Sequence, residues 1–275
     1  MEKFQLSYKT SSVSYICLGT GSRTAFCFHG YGEDALSFSF LEKYAGAEYT
    51  FFSIDLPFHG QTKWNEGYEF SVTDIRQIME QIMSINDRLP ETGNGKLALI
   101  GYSLGGRVAL ALYEKIPSTI DRLVLLAPDG LKVNFWYWLA TQTSIGNKLF
   151  SFTMKHPSWF FGFLKGLNKL RLVNASIFKF VNYYIGDKEV RTLLYARWTT
   201  LRKLKPNLDQ VRKEINMHKT TVRLVYGMHD RIILSTVGEK FRKGIEENCT
   251  ISVIRSGHQV LHEKHAAEIL LALLH

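Results

Sequence analysis

Three polar side chains stand just past apolar runs and could together perform acyl transfer: Ser103 in GYSLGGR, Asp230 in YGMHDRII and His258 in SGHQVLH. A serine hydroxyl is a weak nucleophile at neutral pH. It needs a base within hydrogen-bond reach, and the base needs an acid to orient it. The attacked carbonyl also needs donors for the negative charge that develops on its oxygen. Ser103 lies in Gly101-Tyr102-Ser103-Leu104-Gly105, after the apolar run KLALI and before VALALYEKI. That is the strand–turn–helix setting a sharply turned nucleophile requires. The backbone N–H of Leu104 then opens a helix and points at a bound anion. A second donor is expected in FHGYG, residues 28–32, where the N–H of Tyr31 is the candidate. Asp230 has the chemistry to orient an imidazole. His262 and His265 compete with His258 as the base, but they fall in the next helix-like stretch. His29, Asp55 and His59 are expected to brace their own loops, and Cys27 to sit in the core.

The elements that must hold these groups alternate along the chain. VSYICLG, TAFCFHG, TFFSIDLP, KLALIGYS and RLVLLAPDG are short apolar runs ending in glycine or a polar turn, as in buried parallel strands. Between them, DALSFSFLEKYA, SVTDIRQIMEQIMSIND and GGRVALALYEKIP read as helices, with Ser71 as an N-cap and Pro117 as a stop. Strands return in TTVRLVYG and CTISVIRSG, separated by the helix-like TVGEKFRKGIEE, and HAAEILLALLH closes the chain as a helix. Asp230 and His258 each follow one of these late strands, and the order Ser103, Asp230, His258 suits such a sheet.

From about Lys132 to Met217 the strand pattern stops. The segment carries 15 Lys or Arg against 4 Asp or Glu, and it holds four of the five Trp. It reads as helical, with Phe160, Phe163, Leu164, Leu167 and Leu170 expected on one face. A basic, aromatic surface attracts anions, so an anionic substrate or a peripheral membrane contact through this segment fits it. No nucleic-acid motif accompanies the charge, and nucleic acid is not expected as a partner.

The motifs FHGYG, DLPFHG (residues 55–60), GYSLGGR, GMHD and SGH, in this order, resemble the α/β-hydrolase superfamily of the serine-nucleophile type with a helical cap. The resemblance covers nearly the whole chain. It implies a mostly parallel central sheet flanked by helices, formed by residues 1–131 and 218–275, with an inserted all-helical cap, or lid, at 132–217. In DLPFHG, Phe58 stands where the superfamily usually has glycine. The implied activity is hydrolysis of a small or medium carboxylic ester through an acyl-enzyme on Ser103. It requires no metal and no organic cofactor.

Other chemistries share this triad. One is carbon–carbon bond hydrolysis of a dienoic keto acid. Another follows from GYSLGGR, which is also similar to the nucleophile region of a menaquinone-pathway lyase; there Tyr102 and Arg107 carry over as substrate contacts. For Arg107 the competing expectation is an ion pair with a neighbouring acid. A third reading is a ligand receptor on a hydrolase fold without turnover.

Bulk properties agree with a globular protein. The chain has 275 residues, 45% of them hydrophobic and 21% charged. No apolar run approaches the ~18 residues of a membrane span, and the N-terminus lacks the apolar core of a signal peptide. Three scattered cysteines suggest neither a disulfide framework nor a metal cluster, and a reducing cytoplasm is the simplest expectation.

Overall fold

The alternating apolar runs form one eight-stranded sheet, whose strands in chain order lie side by side as first, second, fourth, third and then fifth to eighth. The computed structural model describes residues 2–87, 96–132, 135–169 and 182–275. The strands are β1 (Glu2–Tyr8), β2 (Ser11–Leu18), β3 (Arg23–Phe28), β4 (Tyr49–Ile54), β5 (Leu97–Tyr102), β6 (Ile120–Leu126), β7 (Thr221–Gly227) and β8 (Cys249–Ile254). The pairs β1–β2 and β2–β4 are antiparallel; from β4 to β8 every pairing is parallel. Every described residue of β4 and β5 is buried, as a central parallel strand covered on both faces must be. All six parallel strands, β3 to β8, end at the same sheet edge, where an α/β protein places its ligands.

Strand β1 escapes the reading of apolar runs. Its signal is a weak alternation, with Leu6 and Tyr8 buried between exposed Gln5, Ser7 and Lys9. Period-two alternation over so few positions is easily missed beside continuous runs. The expected helix in DALSFSFLEKYA is a 3-10 turn at Ala35–Phe38 followed by the short helix α1, Leu41–Ala45. Helix α2 (Val72–Ile85) begins at Ser71, as expected. Ser71 and Asp74 form a reciprocal capping box, so two orphan helix donors are satisfied.

Asp74 does more than cap. Burial opposes its ionisation, but donors from Lys9, Ser71 and Tyr8 outweigh that and hold its carboxyl down to about 2 from 3.8. A depressed carboxyl stabilises the fold above its unfolded pKa, and the contribution fades as pH falls from about 4 to about 2. With Lys9 half exposed, screening leaves about 1 kcal/mol. Thermal melts should therefore show Asp74→Asn losing about that much at pH 7 and little at the lowest pH. Equal losses at both would refute the linkage.

The described residues divide into two compact units. The first comprises Met1–Glu66, Phe70–Lys132 and Lys203–His275 and contains the sheet. It also holds α3 (Leu104–Lys115), α8 (Leu208–His218), α9 (Ser235–Arg242) and α10 (Ala266–Leu274). The second comprises Gly67–Glu69 and Val133–Arg202, with α4 (Phe135–Gln142), α5 (Ser144–Lys155), α6 (Ser158–Lys169) and α7 (Lys188–Thr200). The helical insert expected to end at 217 therefore forms a unit that ends at Arg202. The reason is α8, which buries Val211 and Ile215 and packs on α3 of the first unit.

The expected apolar face of α6 is also corrected. Leu164 is buried, but Phe163 is largely exposed. Neighbours on a helix diverge by about 100°, so the packed face of α6 takes in Leu164 and leaves Phe163 beyond its edge. The side chain of Leu167 and all of Leu170 lie outside the described residues. Among the described residues, no helix is long and apolar enough to cross a membrane.

Candidate active site

Strand β5 delivers Ser103 to the sheet edge, and α3 starts at the next residue. The turn between them is tight enough to force Ser103 to φ 49° and ψ −114°. A non-glycine residue at such a φ carries strain, which the surroundings must hold. The Ser103 N–H donates to Leu126 O at 2.9 Å, and its carbonyl accepts from Gly106 at 2.9 Å and from Asp129 at 2.8 Å. Two glycines make the crossing of helix and strand sterically feasible. A Cβ on Gly105 would lie 1.8 Å from Phe28 O, and one on Gly101 would lie 2.5 Å from Gly105 O.

Asp230 and His258 arrive from the ends of β7 and β8. The His258 Nδ1–H donates to Asp230 Oδ2 at 2.8 Å, which leaves Nε2 to face Ser103 Oγ at 3.0 Å. The Asp230 side chain is fully buried. Its second oxygen, Oδ1, accepts the backbone N–H groups of Ile232 at 2.7 Å and Ile233 at 3.0 Å. These bonds satisfy the buried carboxylate and fix its plane. The rival histidines lie elsewhere: His262 Nδ1 accepts from the N–H of Lys264, and His265 is buried at the N-cap of α10. The three expected residues thus meet as one hydrogen-bonded chain, a geometry in which Nε2 can take the serine proton.

The expected oxyanion donors lie at two adjacent loops. Leu104 is the first residue of α3, so its N–H has no acceptor within the helix. Tyr31 sits in the loop after β3, its ring 6.0 Å from that of His59. His29 braces this loop as expected: Nδ1–H donates to Gly30 O at 2.8 Å, and Nε2 accepts from Leu56 N at 3.1 Å. Burial holds its pKa below the usual histidine value, in keeping with a neutral ring. Asp55 holds its own loop by accepting from Ala35 N and Gln61 N. Phe58 adopts φ 63°, the left-handed conformation a glycine would take without strain.

Tyr102 and Arg107, expected as substrate contacts, have other partners. Arg107 is buried and its Nη2 pairs with Asp129 Oδ2, the alternative that the sequence left open. Removing one member of a buried pair strands the other charge. Arg107→Ala is therefore expected to cost about 2 kcal/mol in chemical denaturation, with Arg107→Met/Asp129→Leu recovering most of it. Unchanged stability together with weaker binding of carboxylate substrates would restore the substrate-contact role.

Tyr102 is buried, and its hydroxyl lies 3.2 Å from both His258 O and Gln259 Oε1. Burial, then the charges of Glu33 and Asp230, push its phenol well above the usual value, so it acts as a neutral donor. Gln259 Nε2 donates onward to Glu33 Oε1 at 3.0 Å. The loops after β3, β5 and β8 are thereby tied together beside the imidazole. Sequence reading missed Glu33 and Gln259, because nothing local marks a glutamate and a glutamine as partners across 226 positions. Gln259→Ala, which cuts the tie, should lower kcat on an ester substrate roughly tenfold at nearly constant KM. A wild-type kcat would mean that the tie does not position His258.

Comparisons with known proteins bear on the same residues. The profile of the alpha/beta hydrolase fold family matches residues 26–265. The uncharacterized hydrolase YugF of Bacillus subtilis (strain 168) is 21% identical over 252 residues, covering 89% of this chain and 86% of that protein. Several other curated relatives match over only 29–35% of their own length. Among solved structures, a thioesterase domain from the curacin biosynthetic pathway is similar at TM-score 0.63 and 16% identity, over 99% of both chains. A structure from work on carboxylesterases of the thaumarchaeon Nitrososphaera gargenis is similar at TM-score 0.66 and 16% identity, over 98% of this chain and 97% of that one. At such identities these structures testify to the fold alone.

Proposed function

Since the chain belongs to the alpha/beta hydrolase fold family, we propose that it hydrolyses small or medium carboxylic esters with Ser103 as nucleophile. The observation that carries this reading is the chain Asp230–His258–Ser103, with contacts of 2.8 and 3.0 Å just past the ends of β7, β8 and β5. His258 Nε2 takes the hydroxyl proton as Ser103 Oγ attacks the ester carbonyl. Asp230 remains ionised and stabilises the imidazolium. The N–H groups of Leu104 and Tyr31 receive the oxyanion of the tetrahedral intermediate. Collapse breaks the bond to the alcohol oxygen, which leaves with the proton from His258. Water, deprotonated by His258, then attacks the acyl-enzyme and releases the acid.

The pairing of Arg107 with Asp129 weighs against the carboxylate-recognising lyase reading. The test is labelling with a fluorophosphonate, followed by peptide mapping and a panel of competing p-nitrophenyl esters and thioesters. Labelling confined to Ser103, with protection by the best ester, is the expected result. No labelling and no turnover of any ester or thioester, with ligand binding retained, would replace this reading by a receptor.

A further inference from the structure

Helix α5 carries apolar side chains on two faces, and its own unit buries only one. Thr153 and Met154 are buried, and the ring of Phe150 packs on Tyr195 and Trp198 of α7. On the other face Ile145, Leu149 and Phe152 are 83%, 52% and 52% exposed. Helix α6 repeats the pattern: Leu164 is buried, while Phe163 is 55% exposed and Trp159 also faces solvent. The rings of Phe152 and Trp159 lie 6.4 Å apart, so the two rows join into one surface. Scattered exposed apolar residues are ordinary, but a continuous row is a docking surface.

The charge on this surface selects its partner. Lys148, Lys155 and Lys165 are exposed on the same two helices. Lys148 and Lys155 both lie along one side of the α5 row, about 40–60° around the helix axis from Phe152. Between Val133 and Gly186 the sequence has six Lys or Arg and no Asp or Glu. A second copy of this chain would set like charges against each other. A sheet of lipid phosphates complements the lysines while its acyl boundary accepts the aromatic and aliphatic row.

We infer that the α5–α6 face docks on an anionic lipid surface. Ile145, Leu149, Phe152, Trp159 and Phe163 enter the headgroup boundary, and Lys148, Lys155 and Lys165 pair with lipid phosphates. This docking is independent of the hydrolytic reading, since it uses none of the residues assigned to the triad or to the oxyanion donors.

The experiment is co-sedimentation of the full chain with vesicles of phosphatidylcholine alone or with about 30 mol% phosphatidylserine. Binding is expected only to the anionic vesicles, and it should weaken steeply as salt is raised from about 0.1 M to about 1 M. Phe152→Ser/Phe163→Ser and Lys148→Glu/Lys165→Glu should each cut partitioning by roughly tenfold or more. Their melting temperatures should match wild type, because all four side chains are exposed. Equal binding to both vesicle types, or no binding, overturns the inference. So does a Phe152→Ser/Phe163→Ser variant that melts earlier or changes its oligomeric mass, because the face would then be covered by this chain or a second copy.

Discussion

Ser103→Ala is expected to lower kcat for a p-nitrophenyl ester by about 10⁵-fold or more, with the melting temperature nearly unchanged. The size of the effect follows from the geometry. His258 Nε2 has Ser103 Oγ as its partner at 3.0 Å, whereas His262 Nδ1 is occupied by the Lys264 N–H and His265 is buried at the start of α10. Alanine removes the attacking atom and leaves the bonds that hold the turn, since these run through the backbone: Ser103 N to Leu126 O, and Gly106 N and Asp129 N to Ser103 O. Both residues bear a similar strain at φ 49°, so the fold should tolerate the exchange. Residual turnover above water would then come from the amides of Leu104 and Tyr31 together with substrate binding. The measurement is steady-state ester kinetics beside fluorophosphonate labelling. A variant that keeps both turnover and label would remove Ser103 from the mechanism.

Asp230→Asn should cost about 10⁴-fold in kcat, for a reason the surroundings of Asp230 make specific. Ile232 N and Ile233 N both donate to Oδ1. An asparagine must place its carbonyl oxygen there, because its NH₂ would face two donors. The NH₂ then turns to His258 Nδ1, which must become the acceptor, and the proton moves to Nε2. A protonated Nε2 cannot take the serine proton. The substitution thus removes the function of the base while keeping its position and nearly the same side-chain shape. Steady-state kinetics together with the imidazole ¹⁵N spectrum would check this, since the tautomer should switch. A wild-type tautomer with undiminished kcat would mean that Asp230 does not orient the ring.

The fold and the candidate site differ in how legible they are. Continuous apolar runs announce strands buried on both faces, so β2 to β7 are visible in sequence, β2 among them although it pairs antiparallel with both neighbours. Strand β1 is edge-paired and half exposed, and its alternation is faint. Ser71 announces α2 because a cap is a local interaction. The insert is less legible: α8 is amphipathic like the helices before it, and tertiary contacts such as that with α3 assign it to the first unit.

The local order of residues determined the strand-ending turns, the glycines at 101 and 105, and the placing of Ser103, Asp230 and His258 where three strands end. These depend on backbone sterics and burial, which act on neighbouring residues. Tertiary structure decided which partners side chains choose when several are within reach. It gave Arg107 to Asp129, Tyr102 to the backbone of His258, and Gln259 to Glu33. It also turned Phe163 outward beside the buried Leu164. Such choices depend on distances set by the packing of distant elements, and a hydrogen bond or ion pair forms only within about 3–4 Å.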